Sequence, residues 1–172
     1  MTAMSDSPAM WQADERRMLD SFLDDYRAEL RSALDDLTEE QARRSLVPSL
    51  TTLLGLVKHA TFVELAWFDE GITLRDRATF EVGSSVDESF TLGPDDTIAS
   101  VLERYDAVCE ASRRRIADMC LDDLVLGNRR GPISLRWVVV HCIAELAQHA
   151  GHADILREQI LAADQSTRTV RG

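Results

Sequence analysis

Apolar residues recur three or four positions apart through four long segments of the chain, and this spacing constrains the fold more than any other feature. It is the spacing of one face of an α-helix, because successive turns bring such positions together. The segments run approximately over 13–37, 50–71, 97–119 and 135–163. Four long helices of this kind predict an all-α four-helix bundle, formed by 1–172 as a single domain.

The stretch 72–94 interrupts this pattern. It has no helical period and contains glycine, serine and proline, so it is predicted to form a long crossover loop between the second and third helices. A short strand within 79–92 is compatible with the sequence. We expect about ten N-terminal and about eight C-terminal residues to be poorly ordered.

Polar residues mark where each helix is expected to begin. Thr38 opens the sequence TEEQ, which has the capping-box pattern and predicts a short helix to about Ser45. The residues expected to cap the second, third and fourth long helices are Ser49 or Thr51, Asp95 or Asp96, and Ser134.

Composition restricts the possible partners. The chain has 30 acidic and 19 basic residues and a net charge of −11, which disfavours binding to nucleic acid. It has no apolar run long enough to span a membrane, and its first residues lack the basic and apolar parts of a secretory signal. We therefore expect a cytoplasmic protein with no membrane partner.

The three cysteines, which have no C-x-x-C spacing, are expected to be small buried residues: Cys109, Cys120 and Cys142.

The fourth helix carries an unusual set of polar residues on its apolar side. Glu145 and His149 lie one helical turn apart on the face that should point into the bundle. His59, in the second helix, also lies on an apolar face. Together the three residues would supply three metal ligands with an open position, as in catalytic zinc sites. Two nitrogens and one oxygen suit zinc, while nickel, manganese and iron also fit.

A second interpretation needs no metal. A histidine on an apolar face is often a hydrogen-bonded core residue, and Glu145 could pair with Arg136 or His141 in a buried polar network. Spacing alone does not decide between these interpretations.

Two segments resemble a known group of proteins. The stretches SLTTLLGLVKHATFVELAWF and PISLRWVVVHCIAELAQHAGHADILREQI resemble the DinB-like superfamily of helical bundles over roughly 30–165. With glutamate at the middle ligand position, the chain is similar to the branch of mycothiol-dependent maleylpyruvate isomerase. The resemblance implies a bundle that holds a divalent metal, most simply zinc, through His59, Glu145 and His149. It also implies a homodimer.

The resemblance further implies an enzyme that uses a low-molecular-weight thiol such as mycothiol. The expected activity is that of an S-transferase or isomerase acting on a small electrophilic molecule, whose attacking group would be a thiolate. Two alternatives remain open at this point. One is a non-catalytic metal- or ligand-binding protein of the stress response, and the other is a metal-dependent hydrolase.

The sequence also predicts roles for residues that lie close to the expected metal ligands. His152 is a candidate for acid–base catalysis or for supporting a ligand, and is otherwise a rim residue. Arg157 could hold a substrate carboxylate or form a salt bridge with Asp154. The remaining expectations are a structural role for His141, a buried thiol for Cys142, pocket or bundle-end positions for Trp67 and Phe68, and core or dimer contacts for Trp11 and Trp137.

Overall fold

The computed structural model describes the backbone of residues 10–170 and the side chains of residues 11–165, and it confirms an all-α fold. Of the terminal residues expected to be poorly ordered, 1–9 and 171–172 lie outside the described part, and the backbone of 165–170 continues α7. Among the described residues, no helix is long and apolar enough to cross a membrane. The helices are α1 (Glu15–Ser32), α2 (Glu39–Ala42), α3 (Leu53–Glu64), α4 (Gly71–Thr73), α5 (Val86–Phe90), α6 (Ile98–Ile116) and α7 (Leu135–Val170).

Four long helical rods form the bundle, as the apolar spacing predicts. Helix α1 packs along α7, and α3 packs against both α6 and α7. The apolar stripes of these helices meet in one core that includes Leu30, Leu54, Tyr105 and Leu146, all at most 1% exposed. Helix α7 extends to Val170, beyond the predicted end near residue 163.

Helix α3 is the central rod, and all its residues from Leu53 to Glu64 are buried. It continues through a π-helical segment, Leu65–Glu70, into α4, which ends at Leu74 in the left-handed region (φ 61°). A helix that is apolar nearly all round must be surrounded by protein. Its charged side chains are paired: Arg27 donates two hydrogen bonds to Glu64, at 2.9 and 2.7 Å, and Lys58 lies 2.8 Å from Asp96.

The crossover between the second and third long helices contains helix rather than strand. Helix α5 and the 3-10 turn Arg77–Thr79 lie within it, so the strand considered for 79–92 is wrong. Ser85 caps α5 by accepting a hydrogen bond from the Glu88 N–H at 3.2 Å. This short helix packs against α3 and thereby places crossover residues beside its buried face.

The helix starts agree only in part with the predicted caps. Thr38 forms the predicted capping box, although α2 ends at Ala42, and Ser134 accepts a hydrogen bond from the Trp137 N–H. The other two caps are corrected to Thr52 for α3 and Thr97 for α6. Asp96 does not cap α6, because its carboxylate accepts hydrogen bonds from Lys58 and from the Gly93 N–H.

A small antiparallel hairpin joins α6 to α7. Its strands are β1 (Leu124–Val125) and β2 (Ile133–Ser134), with Leu124 opposite Ser134. The Gly127 N–H donates a hydrogen bond of 2.8 Å to the carbonyl oxygen of Gly71, which docks the hairpin loop onto the end of the second rod. This docking brings the loop to the mouth of the pocket described next.

Candidate metal centre and its pocket

The three predicted metal ligands come together in the structure. His59 comes from α3 and Glu145 and His149 from α7, and one ligand atom of each lies within 4.8 Å of the other two. Two imidazole nitrogens and one carboxylate oxygen form a donor set that suits a divalent transition metal. Three protein ligands also leave coordination positions for a small molecule.

The imidazole of His59 is buried between an aromatic ring and a hydroxyl group. Its ring stacks on Phe90 with centroids 4.0 Å apart, and its Nδ1 lies 2.7 Å from Oγ of Ser89. Ser89 donates its single hydroxyl hydrogen to the carbonyl oxygen of Val86, at 2.5 Å. Nδ1 of His59 must therefore supply the hydrogen in its contact with Ser89, which leaves Nε2 with the lone pair that a metal requires.

The surroundings keep both ligand histidines uncharged. Burial, together with the neighbouring His149, lowers the pKa of His59 to about 4. Burial also lowers the pKa of His149, and it outweighs the opposite effect of Glu145. Both imidazoles are therefore neutral near pH 7, and neutral imidazole is the form that binds metals.

His149 provides the observation that tests whether a metal fits here. Both of its ring nitrogens are buried, and neither has a hydrogen-bond partner among the described residues. A buried polar atom left without a partner costs about 1–3 kcal/mol. A metal ion bound to one of these nitrogens would remove part of this cost, so the residues present fit a divalent metal.

Glu145 is more exposed than the helical wheel predicts. Its side chain is 35% exposed, and one carboxylate oxygen lies 3.7 Å from Nε2 of His149 while the other lies 3.8 Å from Nε2 of His141. The proposed pairing with Arg136 does not occur, because Arg136 binds Glu15 and Asp122 instead. The carboxylate is thus free of strong hydrogen bonds from either predicted partner.

Part of the ligand cluster lines a pocket of about 1010 Å³, large enough for a small organic molecule. Its lining includes His59, Glu145, Trp67 and His141. Trp67 meets the His141 ring edge-on with centroids 4.7 Å apart, and Trp137 stacks on the same ring at 4.8 Å; the two indole rings lie 5.5 Å from each other. The pocket lining also contains four arginines, Arg75, Arg77, Arg129 and Arg130.

Not every predicted site residue lies in this pocket. His152 is exposed on the turn after His149, with ring centroids 6.0 Å apart, and does not line the pocket. Arg157 donates hydrogen bonds to the carbonyl oxygens of Ala33 and Asp35, at 2.9 and 2.7 Å. These bonds tie α7 to the end of α1, and Arg157 does not line the pocket, so its contact with a substrate carboxylate stays a prediction.

Other sequence expectations are confirmed or corrected by burial. Cys109 and Cys142 are buried, and burial raises the pKa of the Cys142 thiol well above its ordinary value, which makes it unreactive. Cys120 is exposed, contrary to expectation, because it lies in the connector after α6. His141 lines the pocket rather than only supporting the fold, and Trp11 is 83% exposed rather than part of the core.

Sequence reasoning missed two groups of residues at the site. Ser89 and Phe90 contact His59 from the crossover, where no periodic pattern signals their position. Arg129 and Arg130 reach the pocket from the hairpin loop, where the sequence NRRG was a visible but unused signal.

A family model described as mycothiol-S-transferase matches residues 18–162. The match covers most of the chain and includes all three members of the ligand cluster. A search of curated proteins found no match.

Proposed function

The chain belongs to the mycothiol S-transferase family, and from this membership and the geometry of the site we propose that it is a metal-dependent enzyme. In this proposal it joins mycothiol, a low-molecular-weight thiol, through its sulfur to a small electrophilic molecule. The observation that carries the proposal is the cluster of His59, Glu145 and His149, of which His59 and Glu145 line a pocket of about 1010 Å³.

Different residues would bind the metal and contact the organic substrate. Nε2 of His59, a ring nitrogen of His149 and a carboxylate oxygen of Glu145 would hold the metal. A divalent ion bound there would lower the pKa of a thiol beside it and favour the thiolate, which is the nucleophilic form. Trp67 and His141, which line the pocket and meet edge to face, offer an aromatic surface against which an organic molecule can pack.

The reaction itself needs one bond made and one broken. The thiolate sulfur donates an electron pair to the electrophilic carbon and forms a sulfur–carbon bond, while the leaving group departs with the electrons of its bond. The proton released from the thiol needs an acceptor at the pocket. His141 is placed for this role because it lines the pocket and burial lowers its pKa, so its imidazole is neutral near pH 7.

The proposal also covers the identity of the metal, the role of His152, and the location and oligomeric state of the protein. Zinc is our first choice of metal because of the two nitrogens and one oxygen in the ligand set. His152 remains a candidate for a supporting role through its proximity to His149. We also expect a cytoplasmic homodimer, which size-exclusion chromatography with light scattering would test at the level of oligomeric state.

The proposed function can be tested with a defined alkylating agent. Metal-stripped protein is reconstituted with zinc, nickel, manganese or iron and supplied with mycothiol and iodoacetamide. Mass spectrometry then measures the S-carbamidomethyl product above the uncatalysed rate. We expect product formation to require both metal and protein, and Glu145→Gln to lower the rate by about a hundredfold. Glu158→Gln, an exposed change on the same helix, is the matched control and should retain the rate.

The two alternative functions, a metal-dependent hydrolase and a non-catalytic binding protein, predict different experimental results. Metal-dependent cleavage of 4-nitrophenyl acetate without any thiol would favour the hydrolase. Stoichiometric metal binding with no turnover of iodoacetamide under any condition would contradict the transferase and favour a binding protein.

A further inference from the structure

The hairpin loop that follows β1 is held rigidly at the pocket. The Gly127 N–H binds the carbonyl oxygen of Gly71, and the Asn128 side-chain amide donates a 2.8 Å hydrogen bond across the loop to the carbonyl oxygen of Gly131. The Arg130 N–H in turn donates to Oδ1 of Asn128 at 2.9 Å. The two arginines at the tip of this loop are thus presented from a fixed backbone rather than from a loose segment.

Arg130 is oriented by an aromatic ring instead of by a carboxylate. Its guanidinium carbon lies 5.2 Å from the centroid of the Trp137 ring, which stacks on His141 in turn. Stacking occupies the face of a guanidinium and leaves the N–H groups along its edge free to bind. Those edge groups match the two oxygens of a carboxylate.

The other arginines of the pocket are already engaged. Arg75 lies 3.0 Å from Asp69, and Arg77 lies 2.7 Å from Glu70. In contrast, neither Arg129 nor Arg130 forms an ion pair with any residue in the described part of the chain. Both are exposed in a protein of net charge −11, where acidic partners are abundant.

None of the carboxylates that line the pocket forms an ion pair with Arg129 or Arg130. Glu70 is neutralised by Arg77, and Asp76 accepts a hydrogen bond from the Ala78 N–H at 2.9 Å. Glu145 belongs to the ligand cluster. Two unpaired guanidinium groups therefore remain at the rim of the pocket that holds the proposed metal centre.

We propose that Arg129 and Arg130 form an anion subsite that binds the carboxylate of the electrophilic substrate. The substrate class is thus a small electrophile with a carboxylate, placed between the hairpin loop and the cluster of His59, Glu145 and His149. The assignment of the bound carboxylate to a substrate rests on the proposed function. The existence of the anion subsite does not.

Binding can be measured without metal, thiol or turnover. The three indole N–H signals of the ¹⁵N-labelled full-length protein, with Trp137 assigned through Trp137→Phe, are followed during titration with succinate. Succinamide, a neutral molecule of the same length, is titrated in parallel. We expect succinate to shift the Trp137 signal, and succinamide to bind about tenfold more weakly or not at all.

Paired variants distinguish a specific subsite from general charge attraction. Arg129→Gln with Arg130→Gln should raise the Kd for succinate about tenfold. Arg113→Gln with Arg114→Gln removes the same charge from the exposed face of α6 and should change the Kd by less than about twofold. Equal effects of the two double variants, equal binding of succinate and succinamide, or no shift with succinate would overturn the proposal.

A second arm tests the link to the reaction. In the mycothiol assay, iodoacetate replaces iodoacetamide; in both cases the thiolate displaces iodide, which leaves with the electrons of the carbon–iodine bond. Relative to the uncatalysed rates, the loop double variant should lose about tenfold in kcat/KM with iodoacetate and little with iodoacetamide. Equal loss with both reagents would overturn the substrate class. Succinate binding without any transfer would instead contradict the proposed function and leave the subsite standing.

Discussion

Ser89 fixes the tautomer of His59 through a contact of 2.7 Å between its Oγ and Nδ1 of the imidazole. The hydroxyl hydrogen is committed to Val86, so Nδ1 must carry the ring hydrogen. Ser89→Ala removes this constraint and should weaken metal binding about tenfold, the effect typical of a lost outer hydrogen bond to a ligand histidine. Competition with a fluorescent chelator measures the Kd for zinc directly.

The matched control for this variant is Ser112→Ala. Ser112 is also buried, but its hydroxyl has no hydrogen-bond partner among the described residues, and it lies in α6, which carries none of the three ligands. This control should leave the Kd for zinc unchanged. Equal zinc affinity in Ser89→Ala and the wild type would show that the hydroxyl does not orient His59.

The buried ion pair between Arg27 and Glu64 should contribute to stability only as an intact pair. Both side chains are at most 4% exposed, and removing Glu64 leaves the buried guanidinium of Arg27 with Asp24, whose carboxylate is 44% exposed, as its remaining partner. Glu64→Gln should therefore lower the free energy of unfolding by about 3–5 kcal/mol, whereas Arg27→Met with Glu64→Leu should recover most of this loss. Urea denaturation monitored by circular dichroism gives these values.

An exposed ion pair gives the comparison. Arg31 and Asp106 lie 3.1 Å apart with nearly half of each side chain exposed. Arg31→Gln should change the free energy of unfolding by less than about 1 kcal/mol, because water screens the charges. If Glu64→Gln cost no more than Arg31→Gln, burial would not be the reason for the pairing.

The sequence could predict the features that depend on periodicity. Helix faces follow from the spacing of apolar residues, and the histidine and glutamate of α7 share a face because they are four positions apart. His59 could be predicted as the third ligand because it too lies on an apolar face, and the bundle brings such faces together. These arguments need only the turn of a helix and the burial of apolar surface.

The missed features depend on contacts between distant segments. Ser89 reaches His59 only because α5 folds onto α3, and the capping role of Asp96 is lost because Lys58 binds its carboxylate. The wheel also could not show that Glu64, rather than Glu145, is the fully buried glutamate, since its partner Arg27 comes from α1. None of these pairings leaves a local pattern in the sequence.

Asp96 should make the fold sensitive to acid. Burial alone would raise its pKa, but the hydrogen bonds from Lys58 and from the Gly93 N–H, with the charges of Lys58 and Arg104, outweigh burial and lower the pKa below its ordinary value of 3.8. The ionised carboxylate therefore stabilises the folded state fully above that ordinary value. This contribution is lost as the pH falls through the lower folded pKa.

The measurement is a series of thermal unfolding curves across this acidic range. Asp96→Asn should lower the Tm at neutral pH and flatten its decline in acid, whereas Asp95→Asn, at the exposed neighbouring position, should do neither. An acid profile of Asp96→Asn parallel to that of the wild type would contradict the prediction.

Gly127 lets the hairpin loop approach the second rod closely, and an added methyl group should separate them. A Cβ at this position would overlap the carbonyl oxygen of Glu70, a backbone atom that cannot rotate away. Gly127→Ala should therefore lower the free energy of unfolding by about 1–3 kcal/mol and, by moving Arg129 and Arg130, weaken succinate binding.

Gly151→Ala is the control within α7, because its Cβ would meet no atom within 4 Å. This substitution should raise the free energy of unfolding by about 1 kcal/mol. Urea denaturation and the succinate titration of both variants test the two effects together. Succinate binding that survives a destabilised Gly127→Ala would mean that the arginines do not depend on this docking contact.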